Sequence, residues 1–124
     1  MASKKELITG FYNELKPIFD KSAQGMYVYI DDDNKSCNKK FSDMLGYKSP
    51  KEWSDVDYSF MGAFVAQEDQ HRILKIYEDA MKKKMSVTMS VTWLTKNNKK
   101  VKTKTIMVPV SYKGQVMALQ FVSK

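Results

Sequence analysis

Apolar residues recur at two different periods along this chain of 124 residues, and the changes of period divide it into elements. Leu7, Phe11, Leu15 and Ile18 are spaced by four, four and three, which predicts one stripe of an amphipathic helix. Ser3-Lys4-Lys5-Glu6 before it has the S-x-x-E form of a capping box. Pro17 is expected to end or bend that helix, and a short turn over Phe19–Ala23 to lead onward. At Gly25 the period becomes two: Met26, Val28 and Ile30 alternate with Tyr27 and Tyr29. Asp31-Asp32-Asp33-Asn34 supplies turn residues, and a second short strand covers Lys35–Cys37. The period then lengthens again. Phe41, Met44 and Leu45 share one face of a compact helix over Lys40–Leu45, and Gly46 can end it with a positive φ.

Ser49-Pro50-Lys51-Glu52 marks another helix start. Tyr58–Val65 carries Phe60, Met61 and Phe64 without a readable period. A helix over Glu68–Lys83 follows, with Glu68 and Asp69 at its start, Lys82, Lys83 and Lys84 at its end, and Ile73, Ile76, Tyr77 and Ala80 as its buried stripe. Three strands close the chain. Val87, Met89, Val91 and Trp93 alternate with Ser86, Thr88, Ser90 and Thr92, and Asn97-Asn98 suits a hairpin turn. Lys99–Tyr112 and Gln115–Val122 form the last pair, joined at Lys113-Gly114. The prediction is an α+β domain: a five-stranded antiparallel sheet, helices crossing one face, and an N-terminal amphipathic helix. Residues 1–18 form that helix and residues 19–124 the domain proper.

The run GMYVYIDDDNKSCNKKFSDMLGY, Gly25 to Tyr47, resembles the opening of a PAS domain, the small sensor module of signalling proteins. In that family the order is also strand, acidic turn, strand, Asn, helix, Gly-Tyr. The resemblance spans roughly Phe19 to Ser123 and takes in Asn38, Gly46-Tyr47, the Glu68-Asp69 helix start and the Asn97-Asn98 hairpin. Two departures stand out. Ala66-Gln67 replaces the frequent Pro before the acidic pair, and two asparagines replace the frequent Asp-Gly of the hairpin. Asn tolerates positive φ, so neither conflicts with the fold.

The resemblance implies a small cavity between the sheet's inner face and the helices. The residues expected to line it, and so to bind a cofactor or other guest, are Val28, Met44, Leu45, Phe60, Phe64, Tyr77, Val91, Trp93, Met107, Met117 and Leu119. Nine methionines favour an adaptable interior. A closed core without a guest satisfies the same pattern. The outer face is expected to carry Tyr27, Tyr29, Ile106, Val108, Val110, Val116 and Ala118, more apolar surface than a soluble monomer leaves in water. Leu7, Phe11, Leu15 and Ile18 are its expected cover, within one chain or across a homodimer whose packing responds to the cavity.

Composition narrows the chemistry. Hydrophobic residues make up 43% of the chain, and the single cysteine, Cys37, has no intramolecular disulfide partner, which fits a reducing compartment and cytoplasmic residence. No apolar run approaches the roughly 18 residues of a membrane span. Net charge is +7, yet Arg72 is the only arginine among 21 basic residues, which argues against base-reading nucleic-acid recognition. Lys96, Lys99, Lys100, Lys102 and Lys104 concentrate on one hairpin and read mainly as solvated charge protecting a strand.

His71 lies on the helix from which haem-binding PAS domains ligate iron, but its phase is polar, and Leu74 is nearer the ligand position that the resemblance implies. Cys37 precedes Asn38 and Gly46-Tyr47, whereas photoreactive flavin-binding relatives carry Asn then Cys after that motif. Haem and a covalent flavin are therefore disfavoured. Asp31–Asn34 lacks the later glycine and acidic ligand of a calcium loop. No nucleophile–base pair or glycine-rich phosphate loop is present. The expected function is a non-enzymatic PAS-like sensor that binds a small molecule and acts on a dimer or signalling partner. A ligand-free PAS interaction module is the alternative, and an NTF2-like domain is disfavoured by the two early strands and Gly-Tyr.

Overall fold

The computed structural model describes residues 2–124. Helix α1 (Lys4–Lys21) leads into β1 (Gly25–Asp31) and β2 (Asn34–Cys37). Four helices follow: α2 (Lys39–Met44), α3 (Pro50–Ser54), α4 (Phe60–Phe64) and α5 (Gln67–Lys83). Strands β3 (Val87–Leu94), β4 (Lys100–Tyr112) and β5 (Gln115–Ser123) end the chain. The sheet is antiparallel in the order β2-β1-β5-β4-β3, so the two early strands join the late ones through the central β1–β5 pair. Helices α2 to α5 bury Phe41, Trp53, Phe60, Phe64, Ile73 and Ala80 against one face, and α1 covers part of the other.

The capping box forms as the sequence predicts: Ser3 Oγ accepts from Glu6 N at 3.1 Å and Glu6 Oε1 from Ser3 N at 3.0 Å. Pro17 does not end α1, which runs through it to Lys21. Asn13, whose carbonyl loses its donor four residues on, is exposed, so water can replace the missing N–H. The continued helical phase corrects the stripe. Phe19, four residues after Leu15, is buried to 1% exposure, while Ile18 points to solvent at 57%. Leu7, Ile8 and Phe11 are buried with Phe19, against Met26, Val28 and Met117 of the sheet.

Register reverses the expected faces of β1 and β5. Val28 pairs with Leu119, and Leu119 with Val108, so these residues share the α1 side. Tyr27 pairs with Gln120, and Gln120 with Met107, which places Tyr27, Tyr29, Ala118 and Val122 on the helix-covered inner face. A one-residue phase error exchanges every side chain between faces. The faces of β3 and of Val101–Met107 stand as predicted, with Met89, Val91, Trp93, Thr103, Thr105 and Met107 inside.

Local chemistry closes the corners. Asn38 caps α2, and Gly46 takes φ +80° directly beyond Leu45. The Asn97-Asn98 hairpin forms with Asn98 at φ +63°, and Lys113-Gly114 turns with φ +49° and +84°. β4 lies between β5 and β3 from Lys104 onward, where Lys104 pairs with both Ser90 and Ser123, while residues 100–103 run past the end of β5 and pair with β3 alone. Lys96 and Lys100 reach Glu52 and Glu68 at 3.1 and 2.7 Å, which leaves Lys99, Lys102 and Lys104 of that hairpin as the open positive charge.

Candidate functional site

Between the inner face and helices α4 and α5 lies a cavity of about 210 Å³. Strand β1 contributes Tyr27 and Tyr29, β3 contributes Met89, Val91 and Trp93, and β5 contributes Gln120. Phe60 and Met61 come from α4, and Ile73, Leu74 and Tyr77 from α5. Asp32 and Ser59 complete the wall at the start of α4. Ser59 is exposed and Leu74 is 42% exposed, so the mouth opens between α4 and α5.

Short-range bonds hold this wall. Asp32 Oδ1 accepts from the Tyr29 hydroxyl at 2.8 Å and from Phe60 N at 3.2 Å, tying the β1–β2 turn to the first residue of α4. Ser59 Oγ accepts from Gly62 N at 3.0 Å, and Gln70 Nε2 donates to the Met61 and Val65 carbonyls, both at 3.1 Å. Asp69 Oδ2 accepts from Thr92 N at 2.8 Å and so fixes α5 on β3. On β3, Trp93 Nε1 donates to Thr103 Oγ1 at 2.9 Å, and that hydroxyl donates to the Val91 carbonyl at 3.0 Å. Trp93 therefore meets its polar requirement away from the cavity.

The lining is aromatic. Tyr29 meets Phe60 edge-on at 5.0 Å and Tyr77 at 5.7 Å, and Tyr27 meets Trp93 edge-on at 5.7 Å. Burial pushes the hydroxyls of Tyr27, Tyr29 and Tyr77 above the usual tyrosine range; the Asp32 carboxylate beside Tyr29 adds to the shift. Gln120 is only 4% exposed, and its Oε1 has no hydrogen-bond partner. An orphaned buried acceptor in a cavity wall is what a donor from a guest would satisfy. Lys35, the one buried lysine among the described residues, serves another purpose. Its Nζ donates to the carbonyls of Asp32 (2.6 Å), Ser54 (3.2 Å) and Val56 (3.3 Å) and lies over Trp53, bracing β2 against the end of α3.

Of the residues expected at the cavity, Phe60, Tyr77, Val91 and Trp93 line it. Leu45, Phe64 and Met107 are buried in the same core without bordering the cavity, and Met44 packs half-buried at the core's margin. Val28, Met117 and Leu119 lie across the sheet beneath α1, a consequence of the reversed phase. Tyr27, Tyr29, Asp32, Ser59, Met61, Ile73, Leu74, Met89 and Gln120 were not anticipated there. Gln120 does carry a sequence cue, being the lone polar residue in the run Val116–Val122. His71 is exposed and does not line the cavity, and burial raises the pKa of the Cys37 thiol. Among the described residues no cluster of His, Cys, Asp and Glu could hold a metal ion, and no helix is long and apolar enough to cross a membrane.

No protein-family model matches this chain, and no curated protein is significantly similar to it in sequence. Solved structures are similar in shape. A PAS domain from a two-component sensor histidine kinase matches with a TM-score of 0.69 at 10% identity, over 93% of this chain and 96% of that one. The chain has the PAS fold. A PAS domain of a protein from Colwellia psychrerythraea matches at TM-score 0.69 and 17% identity, over 92% of this chain and 96% of that one. A LOV protein from Rhodobacter sphaeroides matches at 0.70 and 13%, over 93% of this chain and 66% of that one. The PAS fold accounts for the sheet order and the helices on one face, and at these identities the likeness speaks for the fold.

Proposed function

We propose that this chain is a non-enzymatic sensor module of the cytoplasm that takes a small molecule between its sheet and helices α4 and α5. The observation that carries the reading is the aromatic cavity of about 210 Å³ with the orphaned Gln120 oxygen in its wall. A core built only for stability fills such space. The guest is small. Drug-sized sites run from roughly 300 to 1,000 Å³, so haem or flavin would require the walls to move apart. The likeness to a sensor kinase's PAS domain supports a signalling role.

Occupancy reaches the rest of the molecule through the β1–β2 turn. Asp32 holds α4, and its neighbour Asp31 pairs with Lys4 of α1 at 3.4 Å. A homodimer remains part of the proposal in a changed form. Leu7 and Phe11 are already buried within their own chain, whereas Ile18 is 57% exposed and Ile106, on the sheet face that α1 partly covers, 41% exposed. Those two residues support the interaction-module reading and are the ones a second copy or signalling partner would meet.

Native mass spectrometry of the purified protein tests both readings. A guest mass released on denaturation, and lost in a Met89→Trp variant that keeps the native circular dichroism, is the expected result. A bare chain that runs as a dimer, with no small molecule bound on titration, would overturn the sensor reading in favour of the interaction module.

A further inference from the structure

We infer that the guest is a small organic cation, an ammonium on a compact apolar or aromatic body. This rests on the proposed guest-binding function and specifies the chemistry of that same site. No Lys, Arg or His lines the cavity in a chain whose net charge is +7. The charged group that does is the Asp32 carboxylate. An anion would enter without a cationic partner and face that carboxylate in a desolvated space, which disfavours carboxylates and phosphates.

The remaining surfaces suit a cation. Tyr29, Phe60 and Tyr77 stand at centroid separations of 5.0 and 5.7 Å in edge-to-face contact, so ring faces turn in different directions around one space. Such walls attract an ammonium through the negative faces of the rings. Asp32 Oδ1 is engaged by Tyr29 and Phe60 N, while Oδ2 makes no hydrogen bond or ion pair. Gln120 Oε1, in a side chain that is 96% buried, lacks a donor. At Asp32 the unused hydrogen-bonding capacity is acceptor capacity alone, which N–H donors match and carboxylate oxygens do not. Lys35 does not line the cavity: its Nζ donates to the backbone carbonyls of Asp32, Ser54 and Val56, so its charge lies behind the Asp32 carboxylate and offers a guest no donor.

Size sets the body. An apolar cavity of about 150 Å³ holds benzene, so a space of about 210 Å³ accommodates one ring and a short aminoalkyl arm.

The test is an NMR titration of the intact chain with three probes of one shape: 2-phenylethylammonium, 2-phenylethanol and 3-phenylpropanoate. The expected result is shifts at Tyr29, Tyr77 and Gln120, with the ammonium bound about tenfold more tightly than the alcohol and the propanoate most weakly. Asp32→Asn keeps the Oδ1 acceptor for Tyr29 and Phe60 N while removing the charge. It should erase the ammonium's advantage and leave alcohol affinity within about twofold. Gln120→Leu, which keeps Asp32, should weaken both donors without reversing their order. Equal affinity for alcohol and ammonium, or a preference for the propanoate, would overturn the cation inference while leaving the guest-binding reading intact. Absence of shifts at the cavity with all three probes would overturn the inference together with the reading beneath it.

Discussion

A single buried amide, Asn38, ties three elements together. Its Oδ1 accepts from Met26 N and Phe41 N, each at 3.0 Å, and its Nδ2 donates to the carbonyls of Phe19 (3.1 Å) and Gln24 (3.0 Å). The end of α1, the start of β1 and the cap of α2 thereby meet at a side chain only 1% exposed. Only an amide offers two donors and a two-pair acceptor in that shape. Aspartate would keep the cap and turn a carboxylate toward two carbonyls. Asn38→Ala strands those groups away from water, and each unsatisfied buried group costs about 1–3 kcal/mol, so a loss of at least about 3 kcal/mol is expected in urea denaturation. A loss below about 1 kcal/mol would show that water replaces the amide. Gln120 is the opposite case, a buried amide whose Oε1 is left unpaired, and its contrast with Asn38 is what marks the cavity as a site.

Among the elements, α1 departs furthest from its local chemistry. Proline inside a helix forfeits a hydrogen bond and clashes with the preceding turn, at about 3 kcal/mol in a helix interior, yet α1 continues through Pro17 to deliver Phe19 to the core. Pro17 is exposed, so Pro17→Ala removes no buried packing. The variant should gain about 2 kcal/mol after allowance for the greater freedom of its unfolded chain, seen as a higher urea midpoint. No gain, or a loss, would mean that the geometry imposed by proline is needed to aim Phe19. The strands show why their existence was legible from sequence while the sides they face were only partly so. β3 turns Thr88, Ser90 and Thr92 outward, and this wet face identified Met89, Val91 and Trp93 as inner residues. β1 and β5 are covered on both sides, by α1 and by the crossing helices, so apolar residues occupy both phases. Met26-Tyr27-Val28-Tyr29-Ile30 reads equally well either way, and the choice that put Val28, Met117 and Leu119 at the cavity failed for that reason. The expected residues that do reach the cavity from β3 and α5, Val91, Trp93 and Tyr77, lie on elements with one solvated side. Polar cavity residues left a fainter mark, because Asp32 in an acidic turn looks like ordinary turn chemistry until α4 is packed against it.

At the scale of the whole molecule, the tyrosines that make the cavity also bound the pH range of the fold. Burial raises the pKa of Tyr27, Tyr29 and Tyr77 above the value near 10 that they hold in an unfolded chain. The unfolded chain therefore loses these protons first, and stability that is complete below about pH 10 declines as pH rises toward the folded values. Each tyrosine held protonated in the fold removes about 1.4 kcal/mol per pH unit over that interval. Lys35 opposes the trend: burial lowers its pKa, so the folded state sheds that proton more readily and regains part of the loss. The Lys35 contribution is complete once the unfolded lysine also deprotonates, near pH 10.5, so above that point the buried tyrosines set the sign and stability falls as pH rises. Circular dichroism and tyrosinate absorbance should therefore change together above about pH 10, as one cooperative transition. Tyr77→Phe removes a titrating hydroxyl that has no hydrogen-bond partner and should shift that transition upward. Tyrosinate absorbance that develops well before the loss of structure would instead mean that the hydroxyls ionise within the folded cavity, where solvent entering through its mouth can hydrate the new charge.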